Sequence, residues 1–141
     1  MKARQVENLD PAAPLRPNAA RIVATRLEEL LAVAGPAFDP AAAEAQHDLR
    51  IAAKRLRYVL EIVEPCFGDD AKAARKAAKQ LQAVLGELHD CDVMLPDAGE
   101  VPSLQALLRT RRELLFQRFR RLWLEEADRG TWAALQRSLR P

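Results

Sequence analysis

Aromatic residues are scarce in this chain, and there are only two cysteines, two histidines and five glycines. Each scarcity removes a class of protein. Two cysteines, Cys66 and Cys91, cannot staple a small loop-rich fold, and their positions near predicted helix ends give them the role of reduced packing thiols. Aromatics at 5% leave little material for a sheet, while alanine and leucine dominate a chain that is 49% hydrophobic, a balance typical of packed helices. No stretch approaches the ~18 apolar residues of a membrane span. The opening MKARQVENLDPAAPLRP also lacks the apolar run of roughly 7–15 residues that marks a signal peptide. The expectation is a soluble cytoplasmic protein with one core, for which 141 residues suffice.

A strong excess of one charge is missing as well. The formal net charge is only +2, so any anion site must come from how the charges are arranged. They are arranged unevenly. Read as a helix at ~100° per residue, the stretch HDLRIAAKRLR puts His47, Arg50, Lys54 and Arg57 within an arc of roughly 80°. Leu49, Ala53, Leu56, Leu60 and Val63 recur at spacings of four and three on the other side, the seam of a packed helix. Lys72, Arg75, Lys76 and Lys79 form a second basic row, with no acid from Ala71 to Gly86. Six arginines between Arg109 and Arg121 face only Glu113.

Taken in order, residues 1–17 hold three prolines and little periodicity, and read as an extended arm preceding a helical domain over 18–141. Asn18 is placed to cap a first helix over 18–34, stopped by Gly35-Pro36. Asp39-Pro40 starts the second, which ends before Pro65. A third spans 70–88, its alanines allowing close approach to the second, and Gly86 begins its end and the following loop. Pro102-Ser103 opens a fourth over 103–127 on the line Leu104, Leu108, Leu115 and Leu122. A short helix after Gly130-Thr131 carries Trp132. The fold class is all-α: an antiparallel helical bundle of four main helices plus a short C-terminal helix.

Most charge runs are solvated helix faces, but those mix signs, because acid–base pairs at i, i+4 stabilise a helix by ~0.2–0.5 kcal/mol each and like charges oppose it similarly. The row from His47 to Arg57 has no acid between Asp48 and Glu61, and the third helix repeats the pattern, so both rows are read as an anion site. His89 projects near Arg75 and Lys79 and joins it. Arg111 and Arg118 share the apolar line of the fourth helix, where an unpaired guanidinium costs several kcal/mol. They either pair with glutamates of the first helix or face water or an anion. Asp90 and Asp92 are turn formers or arginine partners. Phe116, Phe119 and Trp123 are not interleaved with the basic rows and are assigned to the core.

Two blocks, His47-x-x-Arg50-x-x-x-Lys54-Arg55-Leu56-Arg57-Tyr58-x-Leu60-Glu61 and Leu81-Gln82-x-x-Leu85-Gly86-x-x-x-Asp90-x-x-Val93, make the chain resemble the CHAD domains, the conserved histidine α-helical domains. The resemblance implies a helical protein that binds inorganic polyphosphate in a basic groove or pore, without catalysis, metal or cofactor. By position it places His47, Arg50, Lys54, Arg55 and Arg57 in that pore, with the basic residues of the third helix and Arg111 and Arg118 assigned from geometry. The family usually has two similar halves, and this chain resembles the second alone, with no internal repeat of the first block. A homodimer is therefore expected to rebuild the pore. Two other readings stand beside it. An RNA- or acidic-protein-binding module would use the same basic rows. The order His47, His89-Asp90, Asp128 is also that of HD-type metal phosphohydrolases, although the cationic row would repel a metal ion.

Overall fold

A computed structural model describes residues 1–141 and contains helices and turns but no strand. Helix α1 spans Leu15–Ala34, α2 Ala43–Val63, α3 Asp69–Asp97, α4 Pro102–Arg129 and α5 Thr131–Ser138, with 3-10 turns at Gly35–Phe38 and Glu64–Cys66. No helix is long and apolar enough to cross a membrane. Apolar periodicity sets each buried face. Val23, Leu27 and Leu30 of α1, Leu49, Leu56 and Leu60 of α2, and Leu81, Leu85 and Leu88 of α3 all enter one continuous core.

Helix α3 is the centre of the arrangement. It packs on α2 along one flank and on α4 along the other, while α1 lies on α2 and α5 closes against α3 and α4. The His47 ring meets His89 at one end of the α2–α3 pair, and Glu64 meets Arg75 at the other, so these helices run in opposite directions. Asp92 and Glu87 of α3 meet Arg112 and Arg118 of α4, which reverses direction again. Phe38, in the turn after α1, packs on Phe119 at 5.3 Å between ring centres and ties that end of the core to α4.

The helices differ from those expected in four respects, three of them boundaries. Helix α1 begins at Leu15, and Asn18 lies inside it; its side chain exchanges hydrogen bonds with Asp10 and pins the arm instead of capping the helix. Helix α2 begins at Ala43, because the turn before it is satisfied locally: Ala41 N–H donates to the Asp39 carboxylate, and the Gln46 amide donates to the Asp39 carbonyl. Helix α3 continues through Gly86 to Asp97. A helical glycine costs about 1 kcal/mol, whereas Leu88 and Cys91 extend the buried line, and burying a leucine is worth about 1.5–3 kcal/mol. Burial prevails over propensity there. On α4 the buried line is Leu108, Leu115, Phe116 and Phe119, while Leu104, Arg111 and Arg118 are exposed. The large rings of Phe116 and Phe119 turn the packed arc away from the expected line.

The arm before α1 has no helix of its own, yet it is tied down. Arg4 N–H donates to Glu29, and Arg55 donates to the Met1 carbonyl. At the other end Gly130 adopts φ +69°, a left-handed cap whose N–H bonds the Ala127 carbonyl, and the chain turns into α5.

Candidate functional site

Helical spacing sets the α2 row and Lys72, Arg75 and Lys79 of the α3 row, but not Lys76, along one groove between the two helices. On α2, His47, Arg50 and Arg57 are partly buried and Lys54 is exposed. The rings of His47 and His89 stack with centres 4.2 Å apart and planes inclined by 22°. One turn along, the Arg50 guanidinium crosses α3 at Gly86, where an added Cβ would sit 3.4 Å from Arg50 Nε. A glycine here leaves room for the arginine to lie close to the helix backbone. Continuing this opposite-running register by whole turns brings Lys54 level with Gln82 and Arg57 level with Lys79. Lys72 shares the outer face of α3 with Lys79, and the groove ends where Arg75 pairs with Glu64.

The groove is poor in compensating groups. Arg50, Lys54, Lys72 and Lys79 form no ion pair, while Arg57 lies 3.3 Å from Glu61. His47 Nδ1, Arg50 Nε, Arg57 Nε and Gln82 Oε1 are buried atoms without a hydrogen-bond partner in the chain. Native proteins satisfy most such atoms, so four along one groove point to a ligand or water there. Tyr58 adds an aromatic surface at the rim, with the Arg57 guanidinium 4.6 Å and the Lys54 ammonium 5.8 Å from its ring centre. The protonation of His47 follows from the same surroundings. Desolvation pushes its imidazole below the ordinary value, His89 and Arg50 push the same way, and Asp48 opposes them.

Several expected site residues lie elsewhere. Arg55, about 80° round α2 from His47, turns to α1 and pairs at 3.2 Å with the buried Glu29, which also holds Arg26. Lys76 faces a pocket against α4 and α5 beside Glu126 and Arg129. Arg111 and Arg118 are exposed on the far flank of α3, at 3.5 Å and 3.9 Å from Glu87, an acid of the third helix rather than the first. They therefore do not line the His47–His89 groove. Asp92 pairs with an arginine: Arg112 Nε donates to it at 2.5 Å. Cys91 is a buried free thiol whose pKa is raised by desolvation, as befits a packing residue.

Four contributors carry no assigned site role in the sequence, although Tyr58, Gln82 and Gly86 belong to the two motif blocks. Gln82 and Gly86 precede His89 by seven and three residues, a helical spacing that places all three on one side of α3. Tyr58 follows Lys54 by four, close enough on a helix to signal their contact. Arg112 gave no such signal. It donates to the Pro40 carbonyl at 2.7 Å and to Gln46 Oε1 at 2.6 Å as well as to Asp92, clasping the approach to α2 with partners remote in sequence.

His89-Asp90 and Asp128 belong to opposite ends of the α3–α4 pair, so the order His47, His89-Asp90, Asp128 does not converge on one point. No curated protein and no solved structure matches this chain. A family model does, over residues 2–96, which include α1, α2, most of α3 and the whole of the groove just described: the chain belongs to the CHAD domain family.

Proposed function

We propose that the chain binds inorganic polyphosphate along the α2–α3 groove and performs no chemistry on it. The observation that carries this reading is the run of Arg50, Lys54 and Lys79, none ion-paired, beside two stacked imidazoles. A linear polyphosphate presents one charge per phosphate at a regular spacing. A fixed row of cations replaces its condensed counterions, and the affinity falls steeply with salt as it does for nucleic-acid backbones. Arginine forks grip phosphate oxygens in pairs and lysines act as point charges. The ligand-facing set is His47, Arg50, Lys54, Arg57, Lys72, Lys79 and His89, with Gln82 and the Tyr58 hydroxyl as neutral hydrogen-bonding groups. Arg55, Arg75, Lys76, Arg111 and Arg118 shape the surrounding field or hold the fold.

Two copies of the chain complete the assembly in this reading, bringing two grooves to one polymer, and residues 18–141 form the domain that does so. RNA or an acidic protein segment would be drawn to the same cations, but Tyr58 is a single aromatic surface already covered by Arg57 and Lys54, too little to stack successive bases. The test is calorimetric titration with polyphosphate at two salt concentrations, with RNA as competitor at equal phosphate. Binding should be tight at low salt, weaken with salt, and resist RNA. No binding at low salt, or equal competition by RNA, would overturn the reading.

A further inference from the structure

Helix α4 packs on only part of its circumference. The side facing α3 and α5 is filled by Leu115, Phe116 and Phe119, while the adjoining side is open. On that open side, six residues recur at spacings of three and four: Leu104, Leu107, Arg111, Leu114, Arg118 and Arg121. This is the repeat of a helix that packs along another helix, and all six are exposed. Leu107 and Leu114 are 63% and 66% exposed, and a pocket of about 270 Å³ lies between them beside Arg111 and Arg118. Exposed leucines at packing spacing, with a pocket between them, mark an interaction surface.

The charges along this side select the occupant. The helix entry carries Glu100 and its second half carries Arg118 and Arg121. Neither Glu100 nor Arg121 has an ion-pair partner within the chain, and Arg118 has only a 3.9 Å contact with Glu87. We propose that this side of α4 is a self-complementary seam on which α4 of a second copy of this chain docks, running in the opposite direction. With the two-fold axis level with residues 110–111, Leu107 of each copy meets Leu114 of the other. Leu104 lies along the stem of Arg118, and Glu100 faces Arg121 at both ends. Arg111 falls beside the axis, where each guanidinium keeps its own Glu87 at 3.5 Å, so two ion pairs meet there rather than two bare cations. A parallel pairing would set Arg118 and Arg121 against their own copies at one end and Glu100 against itself at the other. The antiparallel pairing is isologous, uses the same patch twice and closes at two copies.

The seam lies on the flank of α3 opposite the His47–His89 groove, so docking leaves both grooves open. Its purpose rests on the polyphosphate reading: one long polymer engages two grooves at high effective concentration. The seam itself does not depend on that reading.

The test is sedimentation of the full chain, free of polyphosphate, over about a hundredfold range of concentration. The wild type should pass from monomer to dimer within that range. Leu107→Glu with Leu114→Glu should raise the dissociation constant at least about a hundredfold, leaving helicity and melting temperature unchanged because both side chains are exposed. Glu100→Arg or Arg121→Glu alone should weaken the dimer about tenfold, and the two together should restore it. A wild type that stays monomeric, a leucine variant that still dimerises, or a double charge swap without rescue would overturn the seam. Short-chain polyphosphate affinity, measured on the leucine variant, should equal that of the wild type per chain. Loss of binding in both proteins would refute the groove while leaving the sedimentation result intact.

Discussion

Acidification should tighten polyphosphate binding while it loosens the free protein, and both effects originate at His47. In the free chain its imidazole is pushed below the ordinary value by desolvation, by the His89 ring stacked on it from α3, and by Arg50, with Asp48 opposing and the Met1 ammonium adding a smaller push. The unfolded chain therefore takes up this proton first as the pH falls below about 6.5. Stability present above that pH is lost as the pH descends toward the depressed folded value. A phosphate chain in the groove reverses the field. At ~4 Å from a half-buried imidazolium, one phosphate charge contributes about 4 kcal/mol at an effective dielectric of 20. Screening by salt and desolvation of both charges reduce this to the order of 1.4 kcal/mol, equivalent to one pKa unit and a factor of ten in affinity. The expected outcome is a gain in affinity of up to about tenfold between about pH 8 and about pH 5.5, with net proton uptake on binding just below about pH 6.5. Calorimetry at that pH in two buffers of different ionisation enthalpy reads the uptake directly. His47→Gln should remove most of it while changing the alkaline affinity by no more than about threefold, since a neutral donor is retained. Salt-sensitive binding with no proton uptake and equal affinity at both pH values would refute the reasoning and leave the stacked histidines as packing groups outside the ligand's field.

Reversing Arg50 and Lys54 together to glutamate should reduce the slope of log affinity against log salt by about 1.4–1.8, near 0.7–0.9 per lost phosphate contact, with helicity unchanged by circular dichroism; loss of helicity would make them structural. Arg55→Ala should leave polyphosphate affinity unaltered in the same titration but cost about 1–3 kcal/mol in urea unfolding, because Glu29, 1% exposed, keeps only Arg26 and a backbone N–H. Arg112→Ala strips Asp92 and Gln46 of their shared partner and should cost about 2–4 kcal/mol by the same unfolding measurement. Gly86→Ala should raise stability by about 0.5–1 kcal/mol and preserve binding, since the new Cβ meets Arg50 at an ordinary contact distance, whereas Gly86→Leu should displace the guanidinium and weaken binding.

What was legible in the sequence depended on periodicity. The α2 row and its buried seam follow directly from spacing, because a helix of constant pitch turns sequence distance into angle, and the structure keeps His47, Arg50, Lys54 and Arg57 on one side. At Gly86 local propensity alone predicts a helix end, because it does not register the burial of Leu88 and Cys91 beyond it. The rotation of α4 was hidden for a related reason: a heptad line fits either Leu104–Arg111–Arg118 or Leu108–Leu115–Leu122, and only the bulk of Phe116 and Phe119 against Phe38 decides between them. Arg55 and Arg112 were unreadable in a different sense. Their partners, Glu29 and Asp92 with Gln46, are brought near by tertiary packing, and no spacing along one helix encodes that.

The distribution of those ion pairs explains how a chain of net charge +2 can present a cationic groove. Glu29, Glu64, Glu87 and Asp92 are all spent on arginines outside the groove or at its end: Arg55, Arg75, Arg111 and Arg112. Acids are thereby kept away from Arg50, Lys54 and Lys79, whose mutual repulsion then goes uncompensated in the free protein. The α2–α3 pair tolerates this because the opposite faces of both helices bury Leu49, Leu56, Leu60, Leu81 and Leu85 completely or nearly so, each worth about 1.5–3 kcal/mol, against a few tenths of a kcal/mol per like-charged neighbour pair. A polyanion relieves only the smaller, repulsive term. In the polyphosphate reading the groove residues serve the ligand rather than the fold, so the stabilisation a ligand confers should follow its occupancy, about 2.7 kcal/mol at a hundred times the dissociation constant, and vanish in the Arg50 and Lys54 variant.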